Sequence, residues 1–373
     1  MKYPVFEPDF GGAEIEAVVQ AMRRGEISGT FGRAIPDFER ANCEYIGMPH
    51  GVAVSNGTTA LQLAARVAGI GPGDEVLVSA STNIASALAV YYNGAVTVPV
   101  DSEGATWNLD LDLLESLVSP RTKAIVAVHL FGNPIDMTRL MEFARVHGLI
   151  VIEDCAEAHG SEWNGRKIGS FGDFSCFSFL SNKVITTGEG GMVLTARDDY
   201  AEQLRSLRSL AFGIPRFFHP VPGYNFRLSA MQAAMGVVQM GRLEEVVSSK
   251  IALHERYRNA LSDLKGIQFA QLPLEGRHVQ WMAAIRVGLE FGATRDTLIA
   301  HLRSRGVDTR TFFCPMNQQP FLTQQSGYRR VPCPVADKMW EDGLYLPSTT
   351  KLAEADVAEI ATAIRECPRS TPA

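Results

Sequence analysis

The sequence predicts an α/β fold, a mostly parallel sheet sandwiched by helices with a smaller α+β unit after it. Two observations carry this. Short apolar runs alternate with amphipathic stretches through roughly residues 50–200, and strands that are apolar on both faces belong to a parallel sheet covered on both sides. From residue 229 the pattern changes. A long proline-free helical stretch gives way to shorter segments, with prolines at 315, 320, 332, 334 and 347.

The elements follow in order. Residues 51–55 (GVAVS) read as a strand and 58–68 (TTALQLAARVA) as a helix. Residues 75–79 (EVLVS) read as the next strand, followed by a helix over about 84–92. The runs AVTVPV, KAIVAVHL and LIVIED continue the sheet, with a helix over 137–147 before the last. The run FGDFSCFSFLSNK alternates residue types as a strand does, and it ends on Lys183. Residues 229–264 read as one long helix or two in succession, with glycines at 236 and 241. We place a domain boundary near residue 248. Residues 1–248 then form the larger unit and 249–373 the smaller one, on which the N-terminal segment is free to pack.

Bulk composition narrows the function. A chain of 373 residues, 46% hydrophobic and 20% charged, has ample material for a large core. A net charge of -6 without any basic stripe argues against nucleic acid. No apolar run approaches the roughly 18 residues of a spanning helix, which argues against a membrane protein. The six cysteines form no C-x-x-C pair and have no zinc spacing, so we expect reduced thiols and no metal. The start, MKYPVFEPDF, lacks the pattern of a signal peptide. The expected location is the cytoplasm.

In a doubly wound sheet, ligands bind beyond the carboxyl ends of the strands. Three features sit there. LIVIED ends on Asp154, a carboxylate able to face the crevice or simply to cap the next turn. Lys183 follows an aromatic run and precedes TTGEGG. It is either a solvated strand-end lysine or a partly buried amine, and burial makes an amine a usable nucleophile. SNGTTALQLA turns from a strand into a helix. Ser55 or Asn56 is an N-cap there, or the free N–H groups hold an anion. Pyridoxal 5'-phosphate needs all three. Its phosphate needs donors, its ring nitrogen an acid partner, and its aldehyde an amine.

At SNGTTAL, HLFGNPIDM, VIEDCAEAHG, FGDFSCFSFLSNKVITTGEGGM and GYNFRLSAMQAA the sequence resembles the DegT/StrS-type sugar aminotransferases. The matching stretches span most of residues 25–240, with weaker similarity beyond. The resemblance implies the aspartate aminotransferase fold of type I and pyridoxal phosphate as cofactor. It implies transfer of an amino group from an amino acid, L-glutamate, to a keto sugar. The sugar expected is nucleotide-linked and of the 4-keto-6-deoxy class, such as GDP-4-keto-6-deoxymannose. Carried over by position, Lys183 is the Schiff-base lysine and proton shuttle, and Asp154 the partner of the ring nitrogen. Gly57, Thr58 and Ser178 match phosphate-binding positions. Glu157 matches a position near the ring hydroxyl that is often Gln in the family. Asn225 matches a residue that reaches the phosphate from a neighbouring subunit, which implies a homodimer with shared sites.

The chain departs from the family pattern at two places. Asn83, in ASTNIAS, stands where an aromatic residue usually stacks on the cofactor. Either another group covers the ring or the pocket serves a different substrate. Asn317 replaces a frequent His in a loop near the substrate that also contains Arg310. Trp281 falls at an aromatic-containing family motif and is equally plausible as core. His159 reads at least as well as a local hydrogen-bonding residue and stays outside the catalytic set. Other keto sugars or keto-cyclitols remain open as acceptors. The related sugar 3-dehydratases have His in place of the lysine, so Lys183 argues against dehydration. The presence of Asp154, Ser178, Lys183 and Asn225 disfavours an inactive regulator.

Overall fold

A computed structural model describes residues 1–369. Its centre is a seven-stranded sheet of β1 (His50–Val54), β2 (Glu75–Ser79), β3 (Val96–Val100), β4 (Thr122–Val128), β5 (Ile150–Asp154), β6 (Phe174–Ser178) and β7 (Gly191–Thr195). The spatial order is β1-β7-β6-β5-β4-β2-β3. The strands from β3 to β6 pair in parallel, while β7 runs antiparallel to both β6 and β1. The chain steps outward from β2 to β3 and then returns on the other side of β2 with β4. Such a reversal opens a crevice beyond the carboxyl ends of the strands.

Both faces of the sheet are dry. Along β4, Ile125 and Ala127 enter one apolar cluster, while Ala124, Val126 and Val128 enter another. This is the period of two expected of a strand. One face is covered by α3 (Gly57–Val67) and α4 (Ala85–Tyr92), through residues such as Leu61, Ala64, Ala89 and Val90. The other receives α2 (Ala34–Ile46), α5 (Met137–His147) and α7 (Ala230–Gly241), through Phe38, Leu140 and Ala233. Helix α1 (Gly12–Arg23) packs on α7, and α6 (Asp198–Arg208) lies against β1 and β7.

The helical stretch after residue 229 is two helices. Arg242 breaks it, and α8 (Leu243–Leu261) continues without interruption through residue 248. Along α8 the apolar stripe changes partners. Leu243, Val246 and Val247 belong to the core beneath the large sheet, whereas Leu253, Tyr257 and Leu261 belong to a further core. That core packs on a second, antiparallel sheet of β8 (Ile267–Gln268), β9 (Ala283–Val287), β10 (Arg310–Thr311) and β11 (Gly343–Leu346), ordered β8-β9-β11-β10. Helices α9 (Arg295–Ser304), α10 (Pro334–Asp342) and α11 (Glu354–Arg365) complete this part of the chain. Tyr3 joins the same core and bridges to Val307.

One expectation is corrected. The strand read as running to Lys183 stops at Ser178. Phe179 still donates to the Gly190 carbonyl (2.8 Å), but the chain then turns, with Lys183 N–H donating to Leu180 O at 2.9 Å. The alternation was real, but the two residues before the lysine, Ser181 and Asn182, favour a turn over a ladder.

Gly236 has a packing reason. A Cβ there would lie 2.5 Å from the ring of Phe38, which is fully buried and set edge-on to Phe179 at 4.9 Å. Gly236→Ala is therefore expected to cost about 1–3 kcal/mol by overpacking. Urea unfolding should show a lower midpoint at constant slope, and an unchanged midpoint would contradict this packing.

Candidate active site

The crevice beyond β4, β5 and β6 holds a cavity of about 700 Å³. Its walls come from strand ends and one helix start, so each side chain is set by regular structure. Glu153 and Asp154 close β5 and point to opposite faces, as neighbours on a strand must. Glu153 is fully buried on the far side, where it accepts N–H bonds from Gly169, Phe171 and Gly172 at 2.7–2.9 Å. Asp154 turns to the cavity. Its Oδ2 accepts from Ser86 Oγ at 2.7 Å and its Oδ1 from Ala156 N–H at 3.1 Å. The turn-capping role and the cavity-facing role belong to the same carboxylate.

Helix α3 begins at the cavity wall. Asn56 is its N-cap, accepting from Thr59 N–H at 2.9 Å. The N–H groups of Gly57 and Thr58 have no intrahelical acceptor, as at any helix start. Gly57 approaches Ser178 so closely that a Cβ would lie 2.7 Å from the Ser178 Cβ. Only glycine lets the helix start and the end of β6 meet, and both line the cavity.

Lys183 reaches the same space. Its side chain is 10% exposed, with Nζ 3.7 Å from Glu157 Oε1 and 4.2 Å from the centre of the Trp281 ring. Glu157 also accepts from Phe131 N–H at 2.8 Å. Burial pushes the Glu157 carboxyl up to about 7, against the opposing pull of Lys183. Trp281 donates through Nε1 to Asn182 O at 2.6 Å, so it packs as core and faces the cavity at once.

The structure brings Gly57, Thr58, Asn83, Asp154, Glu157, Ser178, Lys183, Trp281 and Arg310 to one cavity. It leaves two expected residues outside. Asn225 is exposed and bridges to Ser209. Asn317 is half-buried and donates to Asp337 on α10 at 3.0 Å. His159 is buried between Tyr45, Phe177 and Phe179, where burial pushes its ring down to about 3 and keeps it neutral. Sequence reasoning missed Ser86, which is marked only by its contact with Asp154 across 68 residues. It also missed Tyr345, which lines the cavity from β11.

A family model described as the DegT/DnrJ/EryC1/StrS aminotransferase family matches residues 8–365. The chain belongs to this family. It is 42% identical to the GDP-perosamine synthase of Caulobacter vibrioides, over 96% of each protein. It is 36% identical to the GDP-perosamine synthase of Escherichia coli O157:H7, over 98% of this chain and 99% of the relative. The PLP-form structure of Spr1654 from Streptococcus pneumoniae superposes with a TM-score of 0.90 at 27% identity, covering 99% of this chain and 100% of that one. The fold is that of aspartate aminotransferase, and this member of the DegT/DnrJ/EryC1/StrS family is an aminotransferase.

Glu157 gives this family member a pH signature. Between about pH 4.5 and 7 the folded chain keeps a proton on Glu157 that the unfolded chain has lost, so stability falls as pH rises through that window. Glu157→Gln removes the titration and with it a slope on the order of 3 kcal/mol across the window. Urea unfolding of the cofactor-free protein at a series of pH values measures this. A variant with the parental slope would assign the effect to another group.

Proposed function

We propose that this cavity binds pyridoxal 5'-phosphate and that the chain moves an amino group from L-glutamate to a keto sugar. The observation that carries the reading is the meeting of the Lys183 amine, the Asp154 carboxylate and the start of α3 in one cavity. The donor set suits the cofactor. Gly57 and Thr58 supply helix-start N–H groups and Ser178 a hydroxyl for the phosphate. Asp154, held by Ser86 and Ala156, offers a fixed negative charge to the ring nitrogen. Glu157 would meet the ring oxygen, and Asn83, at the position where an aromatic residue usually stacks in the family, lines the same cavity. When bound, the cofactor supplies an electron sink for the carbon that loses its proton.

The chain's own groups do the rest. Lys183 would be the residue that holds the cofactor's aldehyde, and its amine, once displaced by the donor's amino group, would move the proton of the donor's α-carbon. Trp281 fixes the position of that amine. The perosamine synthase relatives support a nucleotide-linked 4-keto-6-deoxy sugar, with GDP-4-keto-6-deoxymannose the first candidate. Arg310 and Trp281 are placed to contact substrate, whereas a substrate role for Asn317 would need a further element.

We also read the enzyme as a homodimer in which Asn225 of each copy reaches the other's phosphate site. Its exposure outside this chain's cavity, and the exposed Ile214 and Phe217 just before it, support that reading. A division near residue 248, into a cofactor-binding part and a smaller one, fits the change of core along α8. The cysteines Cys43, Cys155, Cys176, Cys314, Cys333 and Cys367 are all free, which supports the cytoplasm as its location.

Incubation of the cofactor-loaded enzyme with L-glutamate should release 2-oxoglutarate. Addition of GDP-4-keto-6-deoxymannose should yield an aminated sugar nucleotide by mass. If no amino acid yields its 2-oxo acid, the reading is wrong. Lys183→Ala should lower turnover by at least about 10²–10⁴-fold, and borohydride should no longer fix the cofactor's mass to the protein. Asp154→Ala should keep some cofactor but lose most of its rate, and a near-parental rate would refute the role given to Asp154.

A further inference from the structure

Two substrates take turns in this cavity, and only the amino donor brings a carboxylate to the reacting carbon. The cavity's own charge is set against such a group. Asp154, Glu157 and Glu189 line it, opposed by Lys183 and Arg310. The Lys183 amine belongs to the reacting carbon. Among the described residues lining the cavity, Arg310 is then the cation left for a carboxylate.

Arg310 is built into regular structure. It stands on β10 as the cross-strand partner of Tyr345 on β11. Directly paired residues share a face of the sheet, and here both line the cavity. Tyr345 is 6% exposed and packed against Phe131, Trp281 and Phe312. Burial, with a smaller push from Glu157, raises its hydroxyl pKa, so it stays a neutral O–H donor. Arg310 Nη1 rests on Asp308 Oδ1 at 2.7 Å and on Thr309 O at 2.9 Å. Its side chain is 59% exposed, and an ion pair so exposed is weakly held.

We propose that Arg310 and Tyr345 clamp the α-carboxylate of the amino donor, and that Asp308 takes the guanidinium back when the sugar enters. The inference rests on the aminotransferase reading of the same cavity. A guanidinium matches a carboxylate with two parallel N–H bonds, and the phenol adds a third donor. The keto sugar carries no charge at its reacting end. With no carboxylate to meet, the guanidinium returns to Asp308, two residues away. One cavity thereby serves an anionic and an uncharged reacting group in turn.

The two half-reactions can be measured apart on the full-length, cofactor-loaded enzyme. One is release of 2-oxoglutarate from L-glutamate in a single turnover. The other is amination of GDP-4-keto-6-deoxymannose by enzyme already carrying the amino group. For Arg310→Gln, the glutamate concentration giving half-maximal rate should rise about 10- to 100-fold. Inhibition by glutarate, a dicarboxylate without the amino group, should weaken in parallel. Arg310→Lys should recover part of the loss, and Tyr345→Phe should show a smaller shift in the same direction. The donor half-reaction should lose at least about ten times more than the sugar half-reaction. Equal losses in both, or an unchanged glutamate dependence in Arg310→Gln, would overturn the clamp while the aminotransferase reading stands. A parent enzyme that releases no 2-oxo acid from any amino acid overturns both.

Discussion

The cavity is organised around one buried ion pair. Lys183 Nζ and Glu157 Oε1 stand 3.7 Å apart, nearly sealed from solvent, with an indole ring below the amine. Taking two charges out of water is expensive, and a separation this long recovers only part of that cost. Glu157 shows the strain, because burial raises its carboxyl to about 7 in spite of the neighbouring ammonium. The amine is thereby set between a carboxyl and an indole that hold its nitrogen at the cavity wall.

The fold supplies the geometry that this pair needs. Parallel strands carry their carboxyl ends to one edge, so Val128, Asp154 and Ser178 open on the same space from β4, β5 and β6. The close approach of Gly57 to Ser178 brings the start of α3 to that edge. The positive end of a helix and the carboxylate of Asp154 then face each other across one cavity. A ligand with an anion at one end and a basic ring nitrogen at the other is what that polarity fits.

Much of this could be read from residue types alone, because the signals were local. LIVIED announced a buried strand with a carboxylate at its end, and SNGTTAL a helix start after a strand. Lys183 was found although its strand was drawn five residues too long, since its importance came from neighbours and not from its own secondary structure. What stayed hidden depends on contacts across the chain. Ser86 holds Asp154 from 68 residues away. Tyr345 reaches the cavity only because β11 pairs with β10. Asn317 looked like a substrate residue by position in its loop, yet its amide is engaged by Asp337 from α10, which no local pattern foretells.

The join between the two sheets shows how far the demands of the cavity extend. Trp281 must hold still for its ring to sit under Lys183, yet it lies just before β9 and outside the large sheet's hydrogen bonds. Its backbone N–H donates to Phe131 O at 3.0 Å, and its backbone carbonyl accepts from Lys250 Nζ at 2.9 Å. Lys250 is buried at the middle of α8, between the residues that enter one core and those that enter the other. It also donates to Ser348 O, just beyond β11, at 3.1 Å. Burial pushes this amine down to about 8, but two buried carbonyls would otherwise lack a donor, and leaving them bare costs more than ordering one lysine. No apolar residue on α8 could replace it, because packing alone cannot satisfy two carbonyls. The second sheet is therefore tied by polar bonds to the backbone of the residue whose indole packs against the Lys183 amine.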